Sequence, residues 1–173
     1  KEEQKQHSVS EGLKTQVIEG DGRTLVSKSL ANKQFDLIVY SPPYPNNIDY
    51  SEVYKMELFF AGHIQDSDEF RRLRLHTFRS HPSIRFPDTS YLDYLPKSEW
   101  SKQLQTSLLE AVPADRWETL RKRLIQGYTD DMYLALKRQF ELAKRGTLVI
   151  CVVGNSLHGK VRQAFCIATD LLI

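Results

Sequence analysis

The sequence contains no long apolar run. No stretch of its 173 residues approaches the roughly 18 consecutive apolar residues that a membrane-spanning helix needs. The first seven residues, Lys1 to His7, are polar and do not resemble a signal peptide. A hydrophobic content of 40% and a charged content of 27% are ordinary for a soluble globular protein. The length suits one domain with a sizeable core.

Cysteine is scarce, and its placement excludes two classes of protein. The chain has only Cys151, in a predicted strand, and Cys166, in a predicted helix. This pair provides neither a disulfide framework nor the spacing of a metal site. The sequence therefore predicts an intracellular protein with buried thiols and no bound metal.

The net charge is also small, at +2, so overall charge does not indicate a nucleic-acid-binding protein. One segment, residues 71–85, is nevertheless strongly basic and contains no acidic residue. Its arginines are Arg71, Arg72, Arg74, Arg79 and Arg85, accompanied by His76 and His81. Such a local charge is large enough to contact phosphate groups. A solvated helix face followed by a basic loop explains it equally well.

The chain is organised around Ser41-Pro42-Pro43-Tyr44, which follows the apolar run from Phe35 to Tyr40. The run predicts a strand of a parallel sheet. The two prolines end strand pairing, because proline cannot donate a hydrogen bond and has a fixed φ. The corner is therefore expected at the carboxyl end of the strand, where open α/β sheets bind ligands.

This corner has the chemistry to hold a planar amine. The Ser41 hydroxyl and the Pro42 carbonyl can accept hydrogen bonds from an exocyclic amino group. The Tyr44 ring can stack on a heterocycle, an interaction worth roughly 1–3 kcal/mol per base. The alternative is an ordinary strand-to-turn exit with a packing tyrosine.

The string from Asp36 to Tyr44, continued by Pro-Asn-Asn-Ile-Asp-Tyr, resembles the catalytic motif of amino-group DNA methyltransferases. Those enzymes use S-adenosylmethionine to methylate N4 of cytosine or N6 of adenine in double-stranded DNA. The resemblance implies that Ser41, Pro42, Pro43 and Tyr44 are catalytic, and the serine form implies cytosine N4 more than adenine N6. It further implies a prokaryotic, cytoplasmic enzyme of restriction–modification or phage defence.

A second part of the resemblance concerns the cofactor. Thr15–Glu19 predicts a short strand, and Gly20-Asp21-Gly22-Arg23 predicts a tight turn after it. In the resembled family this strand often ends in Gly-Asp-Ala/Gly-Arg, and its aspartate contacts the adenine amine of the cofactor. The resemblance therefore implies cofactor binding by Gly20, Asp21 and Ser41. A turn aspartate that bonds its own backbone is the alternative for Asp21.

The glycine-rich cofactor motif of the family has no counterpart in this sequence, because Gly-x-Gly-x-x-Gly occurs nowhere in it. The resemblance implies that the remainder of a larger polypeptide or a partner subunit supplies this strand. A permuted order of the strands is a further possibility.

The expected fold is α/β: part of a Rossmann-like methyltransferase sheet with three parallel strands and a large helical insertion. The third strand is predicted at Thr147–Val153. Residues 1–62 and 129–173 would form the incomplete catalytic core, and residues 63–128 the insertion. Helices are predicted at 49–62, 68–76, 98–112, 113–125, from a cap at Thr129 to the turn at Gly146, and at 157–172, with a loop at 81–94.

Three functions fit this sequence. The first is a DNA methyltransferase whose insertion contacts DNA through Arg71, Arg72, Arg74 and Arg79. The second is a methyltransferase of the same fold that acts on RNA or on a protein amide. The third is a non-catalytic DNA-binding subunit, which the missing glycine-rich strand keeps open. For the insertion itself, a lid that packs on the sheet is the alternative to a DNA-contacting region.

Overall fold

The computed structural model of the protein describes residues 15–24, 30, 33–45, 48–86, 99–154, 156–158 and 161–163. These residues form a mixed α/β structure. Its elements in chain order are β1 (Phe35–Tyr40), α1 (Tyr50–Val53), α2 (Lys55–Phe60), α3 (Ser67–His76), α4 (Glu99–Glu110), α5 (Glu118–Leu142), β2 (Ala143–Cys151), β3 (Ser156–His158) and β4 (Val161–Gln163). No helix in these ranges combines the length and the apolar character that crossing a membrane requires.

Strands β1 and β2 pair in parallel, which confirms the predicted strand before the corner and its parallel partner. Leu37 lies opposite Leu148, and the register continues without a break to Tyr40 and Cys151. Between residues 143 and 148 the chain of β2 bulges at Gly146, whose φ of +88° favours glycine. Helix α5 therefore runs into β2 through a tight turn.

The two faces of the β1–β2 sheet are covered unequally. On one face, Leu37 and Val39 of β1 and Leu148 and Ile150 of β2 are exposed. On the other face, Ile38 and Tyr40 are half-buried. Parallel sheets are ordinarily covered on both faces, so the described residues provide only half of the usual cover.

The short strand predicted at Thr15–Glu19 is wrong, and the predicted set of three parallel strands is reduced to two. These residues have no regular secondary structure, and Val17 is 92% exposed. A short strand with a single alternation of apolar residues forms only where a neighbouring strand pairs with it. Among the described residues β1 pairs with β2 alone, so residues 15–19 do not add to the open edge of this sheet.

The helices of the insertion largely follow the prediction. Helix α3 covers the predicted segment, and its first turn is capped by Asp66, whose carboxylate accepts from the amides of Asp68 and Glu69 at 2.8 Å. Helix α4 matches the helix expected from residue 98, which itself lies outside the described residues. Residues 81–86 are irregular, as expected, and the rest of the predicted loop is not described.

The helix predicted at 49–62 is divided at Tyr54 into α1 and α2. Gly62 ends it with a φ of +77°, as expected for a residue after a helix C-cap. Four apolar residues of this segment, Val53, Tyr54, Met56 and Phe59, are exposed. The apolar stripe of this helix is thus present but has nothing to pack on among the described residues.

The helix boundary predicted at Thr129 is also wrong. Helix α5 runs without interruption for 25 residues, and Thr129, Asp130 and Asp131 lie in its middle. Both aspartates are fully buried, so they do not cap a helix end. The division drawn between residues 128 and 129 consequently falls inside one helix. Whether the two regions are separate domains stays a prediction.

After β2, the predicted helix at 157–172 is replaced, where it is described, by the antiparallel pair β3 and β4. Residues 164–173 of that prediction lie outside the described residues. The core lies elsewhere. Tyr128 and Met132 of α5 pack with Phe78, Leu108 and Leu136, so α5 joins α4 to the segment after α3.

Gly127 makes room for a side chain that crosses α5. A Cβ atom at this position would lie 2.9 Å from Cδ and 3.1 Å from Cβ of the buried Arg79. We expect Gly127→Ala to reduce the free energy of unfolding by about 1–2 kcal/mol, because overpacking outweighs the better helix propensity of alanine.

Chemical denaturation of both proteins measures this loss. Gly22→Ala is the matched control, because a Cβ at Gly22 meets nothing within 4 Å. A Gly127→Ala protein as stable as the control would contradict the packing argument.

Candidate functional site

The Ser41–Tyr44 corner leaves the carboxyl end of β1 and lines a cleft of about 400 Å³. The corner therefore does not face a buried wall. The other lining residues come from the start of α1 and from the segment after α3. They are Asp49, Tyr50, Ser51, Thr77, Phe78, Ser80, His81 and Ile84.

The corner is held by contacts from three directions. The Tyr44 hydroxyl lies 3.2 Å from the Ser41 hydroxyl and donates to the carbonyl of Val152 at 3.4 Å. The Tyr44 amide donates to the Tyr50 hydroxyl at 3.4 Å. Gly154 permits the close approach of the ring, since a Cβ there would lie 3.1 Å from Tyr44 Cε2. The ends of β1 and β2 and the start of α1 thus fix the Tyr44 ring in place.

Asp49 is a cleft residue to which the sequence analysis gave no role. Its buried carboxylate caps α1, accepting from the Ser51 amide at 2.9 Å and the Ser51 hydroxyl at 2.5 Å, and it also binds Arg74. Burial raises the pKa of Asp49. The hydrogen bonds from Ser51 and Arg74 lower this pKa by more than burial raises it, so it lies below its ordinary value. The sequence signal was an Asp two residues before Ser at a helix start.

Helix α3 carries three of the four arginines predicted to contact DNA, and they differ in exposure. The side chains of Arg71 and Arg72 are 73% and 66% exposed and form ion pairs with acids one turn away. Arg74 faces the other way and binds Asp49 and Glu52. DNA contact by Arg71 and Arg72 stays a prediction, whereas the guanidinium of Arg74 is engaged in holding the cleft wall.

Arg79, the fourth of these arginines, is buried. Its Nη2 and Nε donate to Asp131 Oδ1 at 2.8 and 3.1 Å, and its amide donates to Asp131 Oδ2 at 2.7 Å. Asp130 lies 3.7 Å from the same guanidinium. A side chain enclosed in this way cannot reach a phosphate group, and we assign Arg79 to the support of the cleft.

Asp21 lies in the loop predicted to bind the cofactor, next to the exposed Gly20. Its carboxylate accepts from the Arg23 amide and from Arg23 Nε, both at 2.9 Å. Hydrogen bonding from the Arg23 side chain keeps the pKa of Asp21 below its ordinary value, against the opposing effect of burial. The turn aspartate that bonds its own backbone, given above as the alternative, is therefore present. An aspartate bonded in this way can still accept a further donor.

Arg23 is a second residue to which the sequence analysis gave no role. Beyond Asp21, its guanidinium donates to Asp131 at 2.9 Å, to the His76 carbonyl at 2.8 Å and to the Thr77 carbonyl at 3.3 Å. No sequence pattern pairs residue 23 with residue 131. Only the packing of α5 against the segment after α3 brings them together.

Comparisons of this chain with models of protein families, with curated proteins and with solved structures give no match. The corner and the cleft, with the motif that they carry, are therefore the features that point to a function.

Asp131 compensates the charge of two arginines from a fully buried position. We expect Asp131→Ala to cost about 3–5 kcal/mol of folding free energy, because it removes the carboxylate that the buried Arg79 binds through two side-chain nitrogens and leaves only the more distant Asp130 near that guanidinium. Asp68→Ala, which removes an exposed ion pair with Arg71, should cost at most about 0.5 kcal/mol.

Denaturant titration of both variants gives the two values. Similar losses from Asp131→Ala and Asp68→Ala would show that the buried carboxylate does not hold the cleft wall.

Proposed function

We propose that this chain carries the base-binding and amine-binding part of a DNA methyltransferase dependent on S-adenosylmethionine. Its substrate would be the exocyclic amine of a flipped base, cytosine N4 in preference to adenine N6. The observation that carries this proposal is the opening of the Ser41–Tyr44 corner into a cleft with aromatic walls. By resemblance, the enzyme would serve restriction–modification or phage defence in a prokaryotic cytoplasm.

The size and lining of the cleft support a planar ligand. Its volume of about 400 Å³ lies in the range of roughly 300–1,000 Å³ that small-molecule sites occupy. The rings of Tyr44, Tyr50 and Phe78 line it, while the hydroxyls of Ser41, Ser51 and Ser80 supply polar groups. Aromatic rings bind a base through its face, and a few polar groups then select its edge.

The hydrogen bonds of the corner leave the Ser41 oxygen available as an acceptor. The single proton of the Tyr44 hydroxyl is directed to the Val152 carbonyl. In the contact between the two hydroxyls, Ser41 must then be the donor. Lone pairs of Ser41 Oγ therefore remain for an incoming amino group.

An exocyclic amine is a poor nucleophile because its lone pair is delocalised into the ring. Ser41 Oγ and the Pro42 carbonyl would accept its two hydrogens and favour a pyramidal nitrogen, and Tyr44 would hold the ring by stacking. When bound, S-adenosylmethionine supplies the electrophilic methyl group. The contribution of this chain is orientation and electrostatic stabilisation rather than covalent catalysis.

The residues near Asp21 fit one side of a cofactor site. The Asp21 carboxylate can accept from an adenine amine, and the space around Gly22 is open. The glycine-rich side would come from the remainder of a larger polypeptide or from a partner subunit. The exposed face of the β1–β2 sheet supports this, because added strands and helices would bury Leu37, Val39, Leu148 and Ile150.

The proposal is tested by incubating the full-length protein with methyl-labelled cofactor and, separately, with DNA, RNA and protein, followed by mass analysis of nucleosides and peptides. We expect labelled N4-methylcytosine from DNA. Labelled N6-methyladenine would change only the proposed base, from cytosine to adenine. Label in RNA or in a glutamine amide would show that the substrate is RNA or protein instead of DNA. If the protein neither transferred the methyl group nor bound the cofactor, the remaining hypothesis would be a non-catalytic DNA-binding subunit.

In the same assay, Tyr44→Ala should lower methyl transfer by two or more orders of magnitude, because the base loses its stacking partner and its position. Cofactor affinity should stay nearly unchanged. Tyr54→Ala is the matched control, since Tyr54 is exposed outside the cleft. Equal losses of transfer and of cofactor affinity in Tyr44→Ala would contradict the stacking role.

The double substitution of Arg71 and Arg72 by Glu should weaken DNA binding and flatten its dependence on salt, because fewer counterions are released. Substituting Lys137 and Arg116 by Glu gives the same change in charge at exposed positions of other segments and is the matched control. Affinities measured by fluorescence anisotropy over a salt series decide the matter. Equal effects of the two double variants on DNA affinity and its salt dependence would show that Arg71 and Arg72 are ordinary solvated residues.

A further inference from the structure

Arg23 connects the loop of Asp21 to the wall of the cleft. Its side chain is only 14% exposed, although the loop itself lies at the surface. Its two Nη atoms reach Asp131, the His76 carbonyl and the Thr77 carbonyl, while Nε and Nη2 hold Asp21. One guanidinium thus binds groups from three separate segments of the chain.

On the loop side, Arg23 fixes the direction of the Asp21 carboxylate. Oδ1 accepts from the Arg23 amide and from Nε, and Oδ2 accepts from Nη2 at 2.6 Å and shares Nε at 3.0 Å. A carboxylate oxygen has two acceptor positions, so Oδ1 is filled. Three hydrogens, on the amide, Nε and Nη2 of Arg23, thus meet the four acceptor positions of the carboxylate. With the shared Nε hydrogen counted at its shorter contact, on Oδ1, the remaining position lies on Oδ2 and gives one direction for a further donor.

On the cleft side, Arg23 binds groups that are themselves buried or part of the end of α3. Asp131 is fully buried in α5 and also binds Arg79. The carbonyls of His76 and Thr77 end α3 and directly precede Phe78, over whose ring the guanidinium lies at 5.7 Å. Thr77 and Phe78 themselves line the cleft. The direction of Asp21 is therefore set relative to the wall of the proposed base site.

We propose that Arg23 is a positioning residue for the cofactor. It holds Asp21 Oδ2 in the direction from which the adenine amine of S-adenosylmethionine donates, and it fixes that direction relative to Thr77 and Phe78. This inference rests on the proposed function. Lysine cannot replace arginine here, because an ammonium group lacks the planar fork that binds a carboxylate through two nitrogens.

Removal of Arg23 should leave the protein folded. Arg79 still neutralises Asp131, with three hydrogen bonds of its own. Asp21 is on the exposed side of the pair and can be solvated by water. A change in cofactor affinity can thus be separated from a loss of the fold.

The experiment is a calorimetric titration of the full-length protein with S-adenosylmethionine and with its demethylated product, together with a thermal melt of each variant. Arg23→Gln should raise both dissociation constants by about tenfold, as expected for the loss of a bidentate charged contact. Arg23→Lys should preserve the melting temperature better than the affinity. In an Asp21→Asn background, Arg23→Gln should have no further effect on affinity.

Arg121→Gln is the matched control. Arg121 is likewise 14% exposed and binds Asp115 through two nitrogens at 2.9 Å, but it does not line the cleft. We expect this variant to bind the cofactor like the unsubstituted protein.

Two outcomes would overturn the role of Arg23 and leave the proposed function standing. One is that Arg23→Gln binds the cofactor as tightly as the Arg121→Gln control does. The other is that the losses of affinity from Arg23→Gln and Asp21→Asn add up in the double variant. An unsubstituted protein that binds neither compound would overturn the proposed function, and the role of Arg23 with it.

Discussion

The carboxylate of Asp131 is the constraint on which the rest of the structure depends. It lies in the middle of α5 with no exposed surface, and two arginines from different segments bind it. A buried charge is tolerated only where partners compensate it, and here Arg79, with three hydrogen bonds, and Arg23, with one, both lie against α5. Arg79 thereby holds the segment after α3 against α5, and Arg23 holds the loop of Asp21 there. One side chain thereby sets the position of two segments that would otherwise be irregular surface chain.

The cleft follows from this constraint. Its far wall, from Thr77 to Ile84, has no secondary structure of its own and is held by Arg79 and by the network of Asp49, Arg74 and Ser83. Its near wall is the corner after β1, where prolines prevent further strand pairing and Tyr44 is bonded to the end of β2. A rigid sheet edge therefore faces a wall held by ion pairs. Such an arrangement fixes the positions of the two walls relative to each other.

The sequence predicted local features well and long-range pairing poorly. The strand before the corner, helix α3 and the turn at Gly62 all depend on nearby residues, and the structure has them. The sequence predicts a helix cap at Thr129, because a threonine followed by acids is typical of one, whereas Asp131 pairs with Arg79 inside α5. This partner is 52 residues away, and no spacing rule reveals that an arginine from a basic run turns inward. An apolar stripe in a sequence, such as that of α2, likewise does not show what covers it.

The exposed apolar surface of the sheet and the position of the corner are linked through β1. Two parallel strands alone form a marginal sheet, and one face of this sheet is exposed. The corner needs a stable β1, because its geometry is inherited from the end of that strand. Strands or helices that covered Leu37, Val39, Leu148 and Ile150 would stabilise β1 and, with it, the direction in which Ser41 and Tyr44 face the cleft. If the glycine-rich side of the cofactor site came with them, cofactor binding and the geometry of the base site would be stabilised by the same packing.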